Sequence, residues 1–410
     1  MKTPLPGLKR RALLAAAAAA GLTGFDLSVR DGVLNKCLGP LPPALRDNPQ
    51  VRAAWQGLDA TKVWDMHIHV FGDGDSGSGL WFNPRMSQLW RPVEYLRRKI
   101  YINASCIEDK PGRIDLSFME QLLAQSQAMA PGFKAMLFAF DWARDEAGVP
   151  MREVSTYHAG DELLASLAAK HPAHFEWVAS VHPYDPAALD RLDAVVAQGA
   201  KAIKWLPTAQ NIDPASPRCD RYYARLANLK LPLITHAGEE QAVVGFGEHL
   251  GNPLRLRRPL DAGVRVIVAH CASLGHAEDP DAKVKSGQPT NFELFTRLMD
   301  EPQYRPTLFG DISAVVQANR IDVIPTLLAR RDWQGRLLNG SDYPLPGVVP
   351  LIDLRKLVAR GMLAENLMEP LRQLRHHNVL LFDFVLKRSL SLKGQRFAPQ
   401  VFETAPFFAR

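Results

Sequence analysis

Four short apolar runs of strand length each end on a side chain able to hold a metal ion, and they follow one another in a fixed order along the chain. The first, Lys62-Val63-Trp64-Asp65-Met66, leads into His67-Ile68-His69; the others close on His236 after Leu231 to Thr235, His270 after Val264 to Ala269, and Asp342 after Arg336 to Ser341. A fifth run, Ala200 to Pro207, carries Lys204 where its strand would end. Successive side chains of a strand point to opposite faces, so His67 and His69 project the same way and can close on one ion. A lone His-x-His pair is equally compatible with a solvated strand end. The series gives it weight, because strands that each present a ligand at the C-terminal end need an architecture in which those ends converge. In a (β/α)8 barrel all of them meet at one mouth.

The rest of the chain supplies the missing strands and the helices between them. Further runs at 133–140, 175–182 and 307–312 read as strands two, three and seven. The spacing of Leu116, Met119, Leu122, Leu123 and Met129 predicts a helix, as do the patterns at 161–170 and 189–196. From strand four onward the strands recur at about thirty residues, the length of a βα unit. Alternating strands and amphipathic helices imply a parallel sheet. The predicted class is therefore α/β, a TIM barrel over residues 62–385 with a Pro-rich N-terminal arm (21–61), rim-loop insertions and a C-terminal tail (386–410). The glycine-rich segment 72–81 is predicted to be a lid over the mouth, and 279–290 a second rim insertion.

At 410 residues the chain has room for several domains of about 150 residues, yet barrels with insertions reach this size too. A composition of 47% hydrophobic and 22% charged residues excludes a disordered or collagen-like chain. The formal charge is +6, but Lys2, Lys9, Arg10 and Arg11 lie in the first twenty residues without an acid among them, and the excess falls to +2 when that segment is set aside. So local a surplus does not build a nucleic-acid surface, and no nucleic-acid partner is predicted. Arg10-Arg11 followed by the alanine-rich Ala12 to Leu22 resembles a twin-arginine export signal over residues 1–20, which predicts a periplasmic protein. A basic tail on a cytoplasmic protein is the competing reading. The apolar part is too short to span a bilayer, and no other segment qualifies as a membrane span. Cys37, Cys106, Cys219 and Cys271 form no Cys-x-x-Cys pattern, and the sequence does not pair them.

The ordered set His67-x-His69, Lys204, His236, His270 and Asp342, together with Thr-His-Ala-Gly (235–238), Ala-His-Cys-Ala-Ser (269–273) and Gly-Ser-Asp-Tyr-Pro (340–344), resembles the amidohydrolase superfamily and, within it, the amidohydrolase-2 group of metal-dependent hydrolases. The resemblance implies that His67, His69, His236 and Asp342 hold a divalent ion, most simply Zn2+, with one or two ions per chain. It implies Asp342 as general base toward a metal-activated water, and His270 as a ligand of a second ion or a substrate-orienting group. Lys204 is left with two functional readings, a carboxylated bridge between two metals or an ammonium that binds a substrate anion, beside a structural ion pair. Asp311 is a candidate for orienting a ligand histidine. Glu239, Glu240 and His182 are candidates for the rim. The implied activity is hydrolysis of an amide, lactone or ester of a small organic substrate. Some relatives are decarboxylases, but those usually follow the strand-six histidine with Gly-Glu and then Leu-Pro, where this chain has Cys271-Ala272-Ser273-Leu274-Gly275. A non-catalytic binding barrel would be expected to have lost ligands, and none is missing.

Overall fold

The structure, a computed structural model, describes residues 31–282 and 287–409. Eight parallel strands carry the architecture: β1 (Trp64–His69), β2 (Lys134–Phe138), β3 (Phe175–Val178), β4 (Ile203–Trp205), β5 (Leu233–His236), β6 (Val266–Ala269), β7 (Leu308–Asp311) and β8 (Leu337–Leu338). Every one falls inside a predicted run, and helices including Ile114–Gln127, Asp161–Lys170, Ala188–Ala197, Asp220–Asn228 and Asn291–Asp300 alternate with them. Pairing follows chain order as a three-stranded sheet, β1-β2-β3, and a five-stranded one, β4 to β8. Two isolated parallel bridges join the sheets edge to edge, Ala179↔Ile203 between β3 and β4 and Ile68↔Tyr343 between β1 and the segment after β8. The ring is thus the expected (β/α)8 order, with the ladder thinned at both seams.

Inside the ring a separate apolar cluster contains Met66, Met136, Phe138, Val178, Ala202, Ile234, Ile267 and Leu338. The two-residue period of a strand then carries the next inward position to the mouth: Ile234 leads to His236, Ala202 to Lys204, and Leu338, by way of Gly340, to Asp342. The same period cannot place Met66 and both His67 and His69 inside. The register supplies the correction, stepping from Asp65↔Ala135 to Ile68↔Leu137, three residues of β1 against two of β2. This bulge turns His67 and His69 inward and sends Ile68 to the outer core.

The opposite end of the ring is closed by the C-terminal segment. Phe408 belongs to the inner cluster and is 1% exposed, while Phe407 packs edge-on against Phe309 at 4.7 Å. The helix Val379–Ser389 runs through the expected start of the tail at 386 and is largely buried. On the outside, the arm is fastened by a Cys37–Cys106 disulfide and by Asp31, which pairs with Arg355 at 2.7 Å and Arg372 at 3.0 Å. Cys219 and Cys271 are free and buried. The export signal predicted for 1–20 lies outside the described residues, and among those described no helix is long and apolar enough to cross a membrane.

Candidate metal centre

At the C-terminal mouth, His67, His69 and Asp342 bring one ligand atom each to a common point. His67 Nε2 and His69 Nε2 are 3.1 Å apart, and Asp342 Oδ1 lies 3.4 Å from the first and 3.3 Å from the second. Ligands about 2.1 Å from one ion at tetrahedral angles are about 3.4 Å from one another, so the three atoms already have the spacing of a filled site. Two imidazole nitrogens and a carboxylate are also the donor set of a divalent cation.

The surrounding residues fix these ligands. His67 Nδ1 donates to Asp311 Oδ2 at 2.6 Å, which leaves the Nε2 lone pair facing the centre, with Asp311 orienting the ring. Asp311 is itself held by the Ser313 N–H at 2.7 Å and the Ser313 hydroxyl at 2.6 Å, and burial raises its pKa above the ordinary value. Burial, reinforced by the charge of Lys204, holds His67 well below the usual imidazole range, so it is present as the neutral ligand form. β1 and the end of β8 are tied together by Asp65 Oδ1, which accepts from His67 N at 3.1 Å and Ser341 N at 2.8 Å. Gly340 is required at that seam, because a Cβ there would come within 2.4 Å of His67 Cβ. Asp342 donates its N–H to His67 O at 2.9 Å and sits at φ 63°, a left-handed conformation that costs a non-glycine residue about 1–3 kcal/mol. His270, Cys271 and Ala272 form three successive left-handed residues at φ 55°, 50° and 51° directly after β6. Strain gathers on the two segments that carry His270 and Asp342.

His270 donates from Nδ1 to Ser313 O at 3.1 Å and contacts Ser313 Oγ at 2.8 Å, and its Nε2 lies 3.9 Å from Asp342 Oδ2. It thus meets the second oxygen of the carboxylate, with its ring stacked against that of His67 at 5.2 Å. His236 differs from the expectation. Its ring is not among the atoms that converge with His67, His69 and Asp342. The ring turns instead toward Glu240, with Nε2 3.2 Å from Glu240 Oε2 but at an angle that makes no hydrogen bond, so both of its buried nitrogens are without a partner. The physical reason is Glu240, a buried carboxylate anchored by the N–H groups of Ala242 and Val243 and placed where the histidine meets it. Lys204 is buried beneath the mouth with its amine 5.4 Å from the centre of the Phe138 ring, and burial brings its pKa down to about 8.

The centre opens on a pocket of about 70 Å3 walled by Phe71, Phe82, Leu206, Val243 and Leu345 and by the cations Lys204 and Arg320. Arg320 is buried, donates to Ser273 Oγ at 3.0 Å, and has no partner for its Nε. The glycine-rich segment 72–81 does not line this space; Phe82, immediately after it, does. Asp115 explains the difference, since it accepts from Asp73 N at 3.0 Å and Ser78 Oγ at 2.6 Å and so binds the segment to the helix Ile114–Gln127. Residues 240–243 wall the mouth in its place. Of the rim candidates, His182 contributes structure: its Nε2 donates to Gln210 O at 2.8 Å, away from the cavity lining. Arg320, Tyr101, Tyr157 and Ser313 were not visible from the sequence, since none lies in a ligand-bearing run.

A mouth of parallel strands carrying this donor set defines a barrel enzyme of the metal-dependent kind. The family model described as amidohydrolase matches residues 64–359, and the chain belongs to that family. No curated protein matches it. Among solved structures, it is similar to a 5-carboxyvanillate decarboxylase of Novosphingobium aromaticivorans (14% identity, TM-score 0.47, covering 86% of this chain and 97% of that one). It is also similar to an uncharacterized TIM-barrel protein of Bordetella bronchiseptica (15% identity, TM-score 0.44, covering 75% and 94%). A third is a probable 2-pyrone-4,6-dicarboxylic acid hydrolase of Acinetobacter baumannii (13% identity, TM-score 0.41, covering 73% and 90%).

Proposed function

We propose that the chain is a hydrolase of a small organic amide, ester or lactone that carries an anionic group, working with one divalent cation, Zn2+ in the first instance. The observation that carries this reading is the triangle of His67 Nε2, His69 Nε2 and Asp342 Oδ1, at 3.1, 3.3 and 3.4 Å, facing a largely apolar pocket. His67, His69 and Asp342 would hold the ion, and His236, whose ring nitrogens lack any hydrogen bond, is the candidate for a further ligand. A cation in this place supplies positive charge that polarises a substrate carbonyl and brings the pKa of a bound water toward neutrality.

The protein's own groups account for the remaining steps. Asp342 has one oxygen toward the two histidines and the other toward His270, so it is placed to take a proton from water on one side and return it to the leaving group. His270, with its proton held by Ser313, offers an unprotonated Nε2 as acceptor to the same region. Arg320 and Lys204 supply the positive charge that favours an anionic substituent, and Phe71, Phe82 and Val243 receive its apolar body. We also read the protein as exported to the periplasm, a reading supported by the Cys37–Cys106 disulfide.

The test is turnover of a panel of carboxylated lactones, esters and amides, and of aromatic acids, in H2 18O with Zn2+-loaded protein. Hydrolysis predicts one labelled oxygen in the released acid. Release of CO2 from an aromatic acid without hydrolysis of any panel member would replace this reading with decarboxylation.

A further inference from the structure

The three histidines nearest Asp342 are held at Nδ1 in two different ways. His67 and His270 each meet a group that can only accept, the Asp311 carboxylate and the Ser313 carbonyl, and the Ser313 hydroxyl that also approaches both nitrogens gives its own hydrogen to Asp311 Oδ2 and so accepts too, which fixes the proton on Nδ1. His69 Nδ1 instead meets the Tyr157 hydroxyl at 2.9 Å, a group that both donates and accepts. Tyr157 reaches this place because Tyr157–His158 pairs antiparallel with Trp81–Phe82, and because its ring stacks on Phe140 at 4.3 Å. It is 6% exposed and lines the same space as Lys204 and Arg320.

The ring of His69 is therefore free to hold its proton on either nitrogen. With the proton on Nε2, that nitrogen donates toward Asp342 Oδ1, 3.3 Å away, and the phenol donates to Nδ1. When the Nε2 lone pair is given to a cation, the proton must sit on Nδ1, which then donates to the Tyr157 oxygen. The proton count of the pair is unchanged; one ring proton has moved from Nε2 to Nδ1, and the hydroxyl hydrogen has turned away from His69. Tyr157 lines the substrate space.

We propose that Tyr157 is a positioning residue for His69 that couples cation binding to substrate recognition: it accepts from the Nδ1–H form of the ligand histidine and, in doing so, turns its own hydrogen into the cavity as a donor to substrate. The inference rests on the metal-dependent reading of the site and adds a residue and a coupling to it.

The experiment is competition for Zn2+ between a chromophoric chelator and three proteins: wild type, Tyr157→Phe and Tyr101→Phe. Tyr101 lines the same cavity but donates to the Ala242 carbonyl and touches no ligand, so it controls for loss of a wall hydroxyl. Tyr157→Phe is expected to weaken Zn2+ binding about tenfold or more, in the range for removing a partner of a ligand histidine, and Tyr101→Phe to leave it unchanged. Histidine 15N NMR of Zn2+-loaded wild type, which needs no variant, is expected to show His69 protonated at Nδ1. Equal Zn2+ affinity for wild type and Tyr157→Phe, or an unprotonated Nδ1 in the loaded protein, would overturn the inference while leaving the hydrolase reading standing. Wild type that takes up no Zn2+ would overturn both. Zn2+ binding with the expected loss in Tyr157→Phe, but no hydrolysis of any panel substrate, would support the inference and reject the hydrolase.

Discussion

The proposed reaction asks two things of Asp342, and its geometry keeps them apart. Oδ1 faces the paired histidines and Oδ2 faces His270, so one oxygen can hold an ion while the other handles a proton. The strained φ of 63° and the N–H bond to His67 O show that the backbone, rather than the side chain alone, sets this aim. Asp342→Asn keeps the shape and one ligating oxygen but removes the proton acceptor. It is expected to lower kcat by about a hundredfold to ten-thousandfold, the usual contribution of a general base, while metal content measured on the purified variant stays close to wild type. Near-normal kcat would show that another group is the base. Around Asp342, burial rather than charge pairing dominates: His67, His236 and His270 are all held well below the ordinary imidazole range, which keeps their lone pairs available at neutral pH.

At the scale of elements, the centre depends on how β1, β8 and the helix Val379–Ser389 are fastened together. Lys387 in that helix donates to Gly340 O at 2.6 Å and to Asp383 Oδ2 at 2.7 Å, so it grips the backbone just before Asp342. Burial pushes the Asp383 carboxyl up to about 7 from an ordinary 3.8. Between those values the folded chain binds more protons than the unfolded one. The stability this group contributes is therefore full below the lower value and is lost as the pH rises through the upper one. Asp383→Asn abolishes that titration, so in urea unfolding the variant should gain on wild type as the pH is raised from about 4 to about 8. A difference that does not change with pH would contradict the assignment. The strands themselves were legible because each apolar run has strand length and ends on a ligand or a turn. The common face of His67 and His69 was legible from their spacing. The bulge was not, because an unbroken two-residue period places Met66 on the face opposite those histidines, and only the pairing with β2 shows the extra residue. The place of the glycine-rich segment was not legible for a related reason: it is set by Asp115, a residue of a distant helix. Tyr157 and Arg320 gave no signal, since their positions are decided by tertiary pairing rather than by local pattern.

The whole molecule is a barrel plugged at one end by Phe407 and Phe408 and carrying the candidate metal centre at the other. Phe408 fills the closed end, so Phe408→Ala should cost about 3–5 kcal/mol in equilibrium unfolding, as for other buried aromatic residues. A loss below ~1 kcal/mol would mean that the segment is not part of the core. At the other terminus, Arg10→Lys with Arg11→Lys should hold the protein in the cytoplasm in a fractionation assay; unchanged export would show that the leader is not read as a twin-arginine signal. The proposed chemistry depends on a cation at the mouth. Anomalous diffraction at the zinc edge from crystals of the Zn2+-loaded protein tests it most directly. The predicted result is a single strong peak within about 2.0–2.2 Å of His67 Nε2, His69 Nε2 and a carboxylate oxygen of Asp342. A peak elsewhere on the molecule, or none at the mouth with these three side chains in place, would contradict it.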